Sequence, residues 1–320
     1  MKFATMIAAL AGVTNAWFDT GHLLVARIAY EILQNEDPAQ LQKANAILAE
    51  LKANDPSAVS KEGAHPFVEC APWADSFKYN GGLYQKEWHF IDQPFLDEGG
   101  TINDYPNFVG DTHNAKEALK GIIEWMNNPD ANNYVVQTIK TNALQGSMDN
   151  AYSTALRLMI HYVGDIHQPL HATARVDHEY PKGDFGGNLV HLPKKDGVTN
   201  LHASWDSVAY EFSGYANLPF SDNDWNLNGS RAKVLMSNHA DIVNRVNVHD
   251  LNPDTWANES FTIAKNYAYN GVHDGVALTP EYVSAAKTEA EEQIVVAGHR
   301  LANLIKGLNF NQYAGNLFLN

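Results

Sequence analysis

The chain has 320 residues, in which 37 Asp and Glu face 22 Lys and Arg, for a formal net charge of −15 with histidine neutral. That balance excludes a tight electrostatic grip on duplex nucleic acid, which needs clustered cations, but leaves room for a phosphate substrate where bound metal ions reverse the local field. A single cysteine, Cys70, excludes an internal disulfide, and 14 histidines beside so many carboxylates are a suitable stock for a metal site.

Residues 1–16 read as an export signal. Lys2 supplies the positive start, Phe3 to Val13 the short apolar run, and Thr14-Asn15-Ala16 the small-residue cleavage site. Cleavage after Ala16 makes Trp17 the new terminus of one domain over 17–320, since no linker, repeat or low-complexity tract divides the rest. No stretch approaches about eighteen consecutive apolar residues. The expectation is a secreted or lumenal protein, a vacuole-like compartment included, monomeric and without a membrane span.

The apolar periodicity is helical nearly throughout, which places the chain in the all-α class. Gly21 to Leu33 sets Leu24, Ile28, Ile32 and Leu33 on one face, behind Asp19 or Thr20 as N-cap. Pro38 to Leu51, His113 to Met126 and Ala151 to Asp165 carry similar stripes. Gly and Pro between Val176 and Val198 predict loops or a short hairpin around Phe185-Gly186-Gly187-Asn188. Asp224-x-Asn226-x-Asn228-Gly229 opens like a calcium loop, but Leu235 stands where a bidentate Glu belongs, so a turn is expected. Asn228-Gly229-Ser230 and Asn258-Glu259-Ser260 have the form of glycosylation acceptors. The last element is a long helix over Tyr282 to Leu308.

The chemistry-bearing residues fall into a few short runs. His161-Tyr-Val-Gly-Asp165-Ile-His-Gln-Pro-Leu-His171 puts His161 and Asp165 one turn apart on one helical face. Pro169 then ends or kinks that helix and presents His171 from a new angle. Two ligands one turn apart suit zinc, which takes imidazole nitrogen and carboxylate oxygen. Asn200-Leu-His202-Ala-Ser-Trp-Asp206 repeats the spacing. Trp73-Ala-Asp75, Trp88-His89-Phe90-Ile91-Asp92 and His22, five residues after the predicted terminus, add further candidates. Each alone is more often an ordinary core or surface residue; together they point to a metal site.

These runs, with Gly186-Gly187-Asn188, follow one another from Trp17 to Asp206 and resemble the zinc-dependent class I nuclease family. That family comprises single-strand nucleases and 3′-nucleotidases and shares a superfamily with zinc phospholipase C. The resemblance implies a mainly helical fold with a cleft for three zinc ions. It implies Asp75, His89 and His161 on one zinc, with Asp165 bridging to a second that also takes His22 and the free α-amine and carbonyl of Trp17. His171, His202 and Asp206 are implied for the third. The implied reaction is hydrolysis of single-stranded DNA, RNA and 3′-nucleotides at the P–O3′ bond by a zinc-bound hydroxide, giving 5′-nucleotides. Asp75 is implied to orient the attacking water and Lys78 to contact phosphate. Phe90 and Asp92 are implied to bind an unpaired base by stacking and hydrogen bonding, with Asn188 helping to hold the nucleotide. Phospholipase C action on lipid head groups and a non-catalytic zinc-binding role are the alternatives. The His89-Phe90-Ile91-Asp92 run and the final Asp206 favour the nuclease. Two departures stand out: Ser76 follows Asp75 where an acidic residue is common, and no disulfide can pin the cleft loops.

Overall fold

The computed structural model describes residues 17–310, so the expected export signal lies outside the described residues. Its centre is set by Met148–Ile166, a helix buried on every side from Asn150 onward. A helix with no solvent face belongs in the middle of a protein, and its polar side chains must find partners there. The helices in chain order are α1 (Asp19–Glu36), α2 (Pro38–Asn54), α3 (Pro66–Glu69), α4 (Trp73–Phe77), α5 (Ala115–Asn127) and α6 (Tyr134–Thr141). The central α7 (Met148–Ile166) follows, then α8 (Leu201–Asp206), α9 (Asp222–Asn238), α10 (Ile242–Arg245), α11 (Pro253–Ile263) and α12 (Pro280–Gly307). Helices α1, α2, α5 and α12 pack against α7, and α1 lies mainly along α12. The buried apolar side chains form one contiguous cluster from Trp17 to Phe310. No helix among the described residues is long and apolar enough to cross a membrane.

The fold is mainly α, as expected, with four short strands among the described residues. β1 (Pro94–Leu96) pairs in parallel with β2 (Ala174–Val176), and β3 (His191–Lys195) forms an antiparallel hairpin with β4 (Val198–Asn200). The hairpin turns at Asp196-Gly197, both left-handed, the preferred chemistry for a two-residue turn. The hairpin lies downstream of Phe185–Asn188, where a loop, the other of the two expected forms, stands. That stretch is a loop with three successive left-handed residues, Phe185, Gly186 and Gly187.

Most of the long helices start at a side chain that caps them. Asn114, Ser147, Asn200 and Thr279 each accept a backbone N–H at the start of α5, α7, α8 and α12. The N-cap of α1 is Phe18, without a side-chain cap bond, and Asp19 is already helical. The Asp19 carboxylate accepts the Ala216 N–H instead. The calcium-like run is not a turn but the first half of α9. Ser221 and Asp224 form a reciprocal capping box there, because an Asp three residues after a Ser caps a helix as well as it opens a loop. Asn228 consequently faces the interior of α9, unlike the exposed Asn258, and offers no surface for a glycan. Cys70 is buried, its thiol donating to the Phe67 carbonyl. In place of a disulfide, the Glu69 carboxylate takes N–H groups from Gly63, His65 and Phe220 at 2.7, 2.8 and 2.7 Å, tying two loops together.

Candidate metal centre

Helix α7 presents His161 and Asp165 one turn apart, both fully buried. Around them stand His22 from α1, Asp75 from α4 and His89 from the 3-10 turn Leu83–His89. Helix α7 stops at Ile166, three residues before Pro169, and the 3-10 turn Pro169–His171 brings His171 against His202 and Asp206 of α8. Two glycines make these approaches possible. A Cβ on Gly164 would sit 2.6 Å from His22 Nδ1, and one on Gly186, at φ +61, would sit 2.2 Å from the Leu170 carbonyl oxygen.

The distances define three buried groups, each with three ligand atoms within 4.8 Å of one another: His22/Asp75/His161, His89/His161/Asp165 and His171/His202/Asp206. The third coincides with an implied zinc set. The other two share His161 and contain the remaining side chains of the implied sets. Asp165 Oδ1 lies 3.2 Å from His22 Nε2 and 3.3 Å from His161 Nε2, while its Oδ2 lies 2.9 Å from His89 Nδ1. Asp75 Oδ1 is 3.7 Å from both His89 Nδ1 and His161 Nε2. Asp206 Oδ2 is 3.4 Å from His202 Nε2.

The outer nitrogen of each imidazole fixes what the inner one can do. His161 Nδ1 faces the Ala71 carbonyl at 2.6 Å, His171 Nδ1 the His89 carbonyl at 2.7 Å, and His202 Nδ1 the Gly186 carbonyl at 2.7 Å. A carbonyl only accepts, so each Nδ1 carries the hydrogen and each Nε2 is left with a lone pair when the ring is neutral. For His89 the partner is Gln85. Its amide nitrogen donates to the Ala74 carbonyl, so its oxygen must accept from His89 Nε2, and Nδ1 is the bare atom. The bare atoms then face each other: His161 Nε2 and His89 Nδ1 are 3.1 Å apart, as are His171 Nε2 and His202 Nε2. Two lone pairs at that distance repel unless a proton or cation lies between them. Two nitrogens bound to one zinc at a tetrahedral angle stand about 3.3 Å apart. Both ring nitrogens of buried His22, and Asp165 Oδ1, make no hydrogen bond. The residues fit a cation with a taste for imidazole and carboxylate.

The electrostatics follow from burial. It pushes His89 and His202 down to about 4, His22 below its usual value and His171 well below it. Burial opposes the charged form of His161 too, but Asp165 and Asp75 outweigh it and raise this imidazole. Asp165 shows the reverse: burial works to raise it, and the charge His161 carries when protonated, with His22 and His89 close by, holds it well below the carboxylate range. Burial pushes Asp206 well up; the Gln168 amide, donating at 2.6 Å, and the Lys78 charge offset this in part, while Asp75 and Asp165 add to it.

Of the remaining expected residues, Trp17, Lys78 and Phe90 adjoin this cluster. Trp17 is fully buried; its indole N–H donates to the Gly164 carbonyl, and the Phe18 N–H donates to the Asp206 carbonyl. Residue 17 thus sits between the two groups of histidines. Lys78 is buried rather than solvated, with Nζ 2.8 Å from Asp75 Oδ1. Phe90 is half-buried, its ring stacked on His171 at 4.6 Å and 23°. The Ile91 N–H donates to the His171 carbonyl, and the β1–β2 pairing carries both segments onward side by side. Asp92 is half-buried beside Asp111. Asn188 closes its own loop, donating to the Phe185 carbonyl at 2.7 Å. Gln85, Gln168 and Asp111 were not foreseen, although Gln85 stands four residues before His89, the same spacing that marked the ligand pairs.

Comparison with known proteins shows the family of the chain. The family described as S1/P1 Nuclease matches residues 17–309. The chain is 26% identical over 313 residues to Endonuclease 1 of Arabidopsis thaliana, covering 94% of this chain and 89% of the relative. It is 26% identical over 307 residues to Nuclease S1 of Aspergillus oryzae, covering 92% of each. To Nuclease P1 of Penicillium citrinum it is 25% identical over 316 residues, covering 93% and 100%.

Proposed function

The chain belongs to the S1/P1 nuclease family, and from that membership we propose that it is a secreted, monomeric, zinc-dependent endonuclease and 3′-nucleotidase. Its substrates in this reading are single-stranded DNA and RNA and 3′-nucleotides, cut at the P–O3′ bond to leave 5′-nucleotides. The observation that carries the metal dependence is the pair of inward imidazole contacts, 3.1 Å each, beside buried carboxylates.

Three zinc ions fit the ligand atoms available. Asp75, His89 and His161 would hold one, Asp165 would bridge to a second beside His22, and His171, His202 and Asp206 would hold a third. The α-amine and carbonyl of Trp17 complete the second set once residues 1–16 are removed. The position of residue 17 between α7 and α8, and a family match beginning there, support this. Zinc bound in these sets supplies Lewis acidity to phosphoryl oxygens and brings the pKa of water down to about 7.

The protein's own groups do the orienting. Asp75 holds the attacking water and is itself held by Lys78, whose ammonium is the nearest fixed cation for a phosphate oxygen. Gln85 and the carbonyls of Ala71, His89 and Gly186 keep the imidazoles in one tautomer, so the ligand atoms need not reorganise. Phe90 offers a ring face to one base, which only an unpaired base can reach, and Asp92 contacts its edge, with Asn188 on the opposite loop.

The test is turnover of single-stranded DNA, RNA, a 3′-mononucleotide and phosphatidylcholine by protein with a sequenced amino terminus, before and after zinc removal. Cleavage of the nucleic acids to 5′-phosphorylated products, lost on chelation and restored by zinc, is the expected result. Three zincs per chain should accompany it. Turnover of the lipid alone, or none after reconstitution, overturns the reading.

A further inference from the structure

Segment 108–114 folds back onto Phe90-Ile91-Asp92. The Ala115 N–H donates to the Phe90 carbonyl at 3.0 Å, and a Cβ on Gly110 would lie 3.5 Å from the Asp92 carbonyl oxygen. The Asp111 carboxyl thereby lies beside the Asp92 carboxyl, both side chains half-buried. Two ionised carboxylates side by side in a half-buried place repel each other, and a proton shared between them removes the repulsion. The other charged groups facing the pair are Asp184, toward Asp92, and Glu87, toward Asp111. Both are acids, so nothing here favours loss of the proton. Asp184 is fixed in place, accepting from the Arg175 N–H at 2.9 Å and the Tyr269 hydroxyl at 3.1 Å.

We propose that Asp111 is a specificity-determining residue, which shares a proton with Asp92 so that Asp92 offers the base one donor and one acceptor. The proposal rests on the reading of Asp92 as the base-contacting carboxyl and adds what sets its hydrogen-bonding character. An ionised carboxylate has only acceptors and matches guanine, whose pairing edge offers adjacent N1–H and N2–H groups. A carboxylic acid has a hydroxyl and a carbonyl. It matches every base, since adenine, cytosine, thymine and uracil each offer a neighbouring donor and acceptor and guanine offers N1–H beside O6. Ionisation therefore costs adenine a hydrogen bond, while guanine keeps two through N1–H and N2–H. Asp92 holds the proton and Asp111 accepts it; on binding, the Asp92 hydroxyl turns to the base while Asp111 keeps the charge. Burial, then Asp111, pushes Asp92 up to about 7, and burial, then Glu87, pushes Asp111 up to about 6. The switch between the two characters therefore falls near neutral pH.

The experiment compares wild type, Asp111→Asn, Asp111→Ala and Asp92→Asn, all zinc-loaded, on 3′-guanylate and 3′-adenylate from pH 5.5 to 8.5. The readout is the guanine-to-adenine ratio of kcat/KM, in which folded fraction, zinc content and any general loss of rate cancel. In wild type the ratio should rise about five- to tenfold as pH passes through about 7, the size expected for one mismatched hydrogen bond. Both Asp111 variants remove the like charge beside Asp92, so the rise should move about one pH unit or more to lower pH. Superimposable profiles for wild type and both Asp111 variants, with Asp92→Asn flattening the ratio, overturn the role of Asp111 and leave Asp92 as the base contact. A ratio that Asp92→Asn also leaves unchanged removes the base-contact reading, and the proposal with it.

Discussion

Two polar clusters sit one turn apart on the same buried helix and differ in a single respect. Arg157, at the middle of α7, sends Nε and Nη2 to the two oxygens of Glu62 at 2.8 and 2.6 Å, and further donors to Ser153 and the Leu48 carbonyl. Lys52 caps the Glu62 and Gly63 carbonyls. Every donor there meets an acceptor. His161 and Asp165, four and eight residues on, are equally buried, yet acceptor faces acceptor among their neighbours. Burial of charge alone therefore does not mark a functional site. An excess of inward lone pairs does, because a folded chain tolerates it only where a cation balances it.

The largest way to test that difference is Asp165→Asn. The carboxylate lies within 3.3 Å of three imidazoles, so its loss removes the anion that the whole first cluster shares. Turnover should fall roughly a thousandfold, and bound zinc should drop with it. Retained zinc and near-normal turnover would show that the cluster is organised by something other than a metal. Glu62→Gln should do the opposite. Removing one partner of a fully buried ion pair costs about 3–5 kcal/mol of stability, because Arg157 keeps its charge without an anion. Zinc content and kcat per folded molecule should not change. A denaturant melt beside metal analysis checks both halves, and loss of zinc in this variant would erase the distinction.

What could be read from the sequence followed the range of the interactions. The chelating pairs His161/Asp165 and His202/Asp206 are local on helices, so spacing alone exposes them. The end of α7 near Gln168 was legible because Pro169 acts on its immediate neighbours. Asp111 was not, since it meets Asp92 only through a chain reversal that no local pattern marks. Asp224 was misread because the same side chain serves a calcium loop and a capping box, and only the following helix decides. Lys78 could have been a solvated side chain on any helix end; its burial against Asp75 is a tertiary fact. The three N–H groups gathered by Glu69 replace a covalent pin that one cysteine could not form, and such a gathering has no sequence signature.

The smallest effect is spread over pH and concerns which ligands must give up a proton to a metal. In the zinc-stripped protein His89 and His202, near 4, are neutral at pH 7 and have nothing to release. His161 and Asp206 are raised, and these are the groups from which zinc must displace protons. Zinc affinity, and the stability it adds by mass action, should therefore weaken as pH falls through their raised values. The stripped protein has the opposite trend at His161. With its folded value above the unfolded 6.5, that imidazolium stabilises the fold fully below 6.5 and ceases to as pH rises through the raised value. The two trends add, so the gap in melting temperature between zinc-loaded and stripped protein should widen from pH 6 to pH 8. Proton release on titrating zinc into stripped protein should grow as pH falls over the same range. The Arg157–Glu62 cluster is intact in both forms and cancels in the difference. A gap that narrows with rising pH would mean that the inward nitrogens are not the atoms that bind the metal.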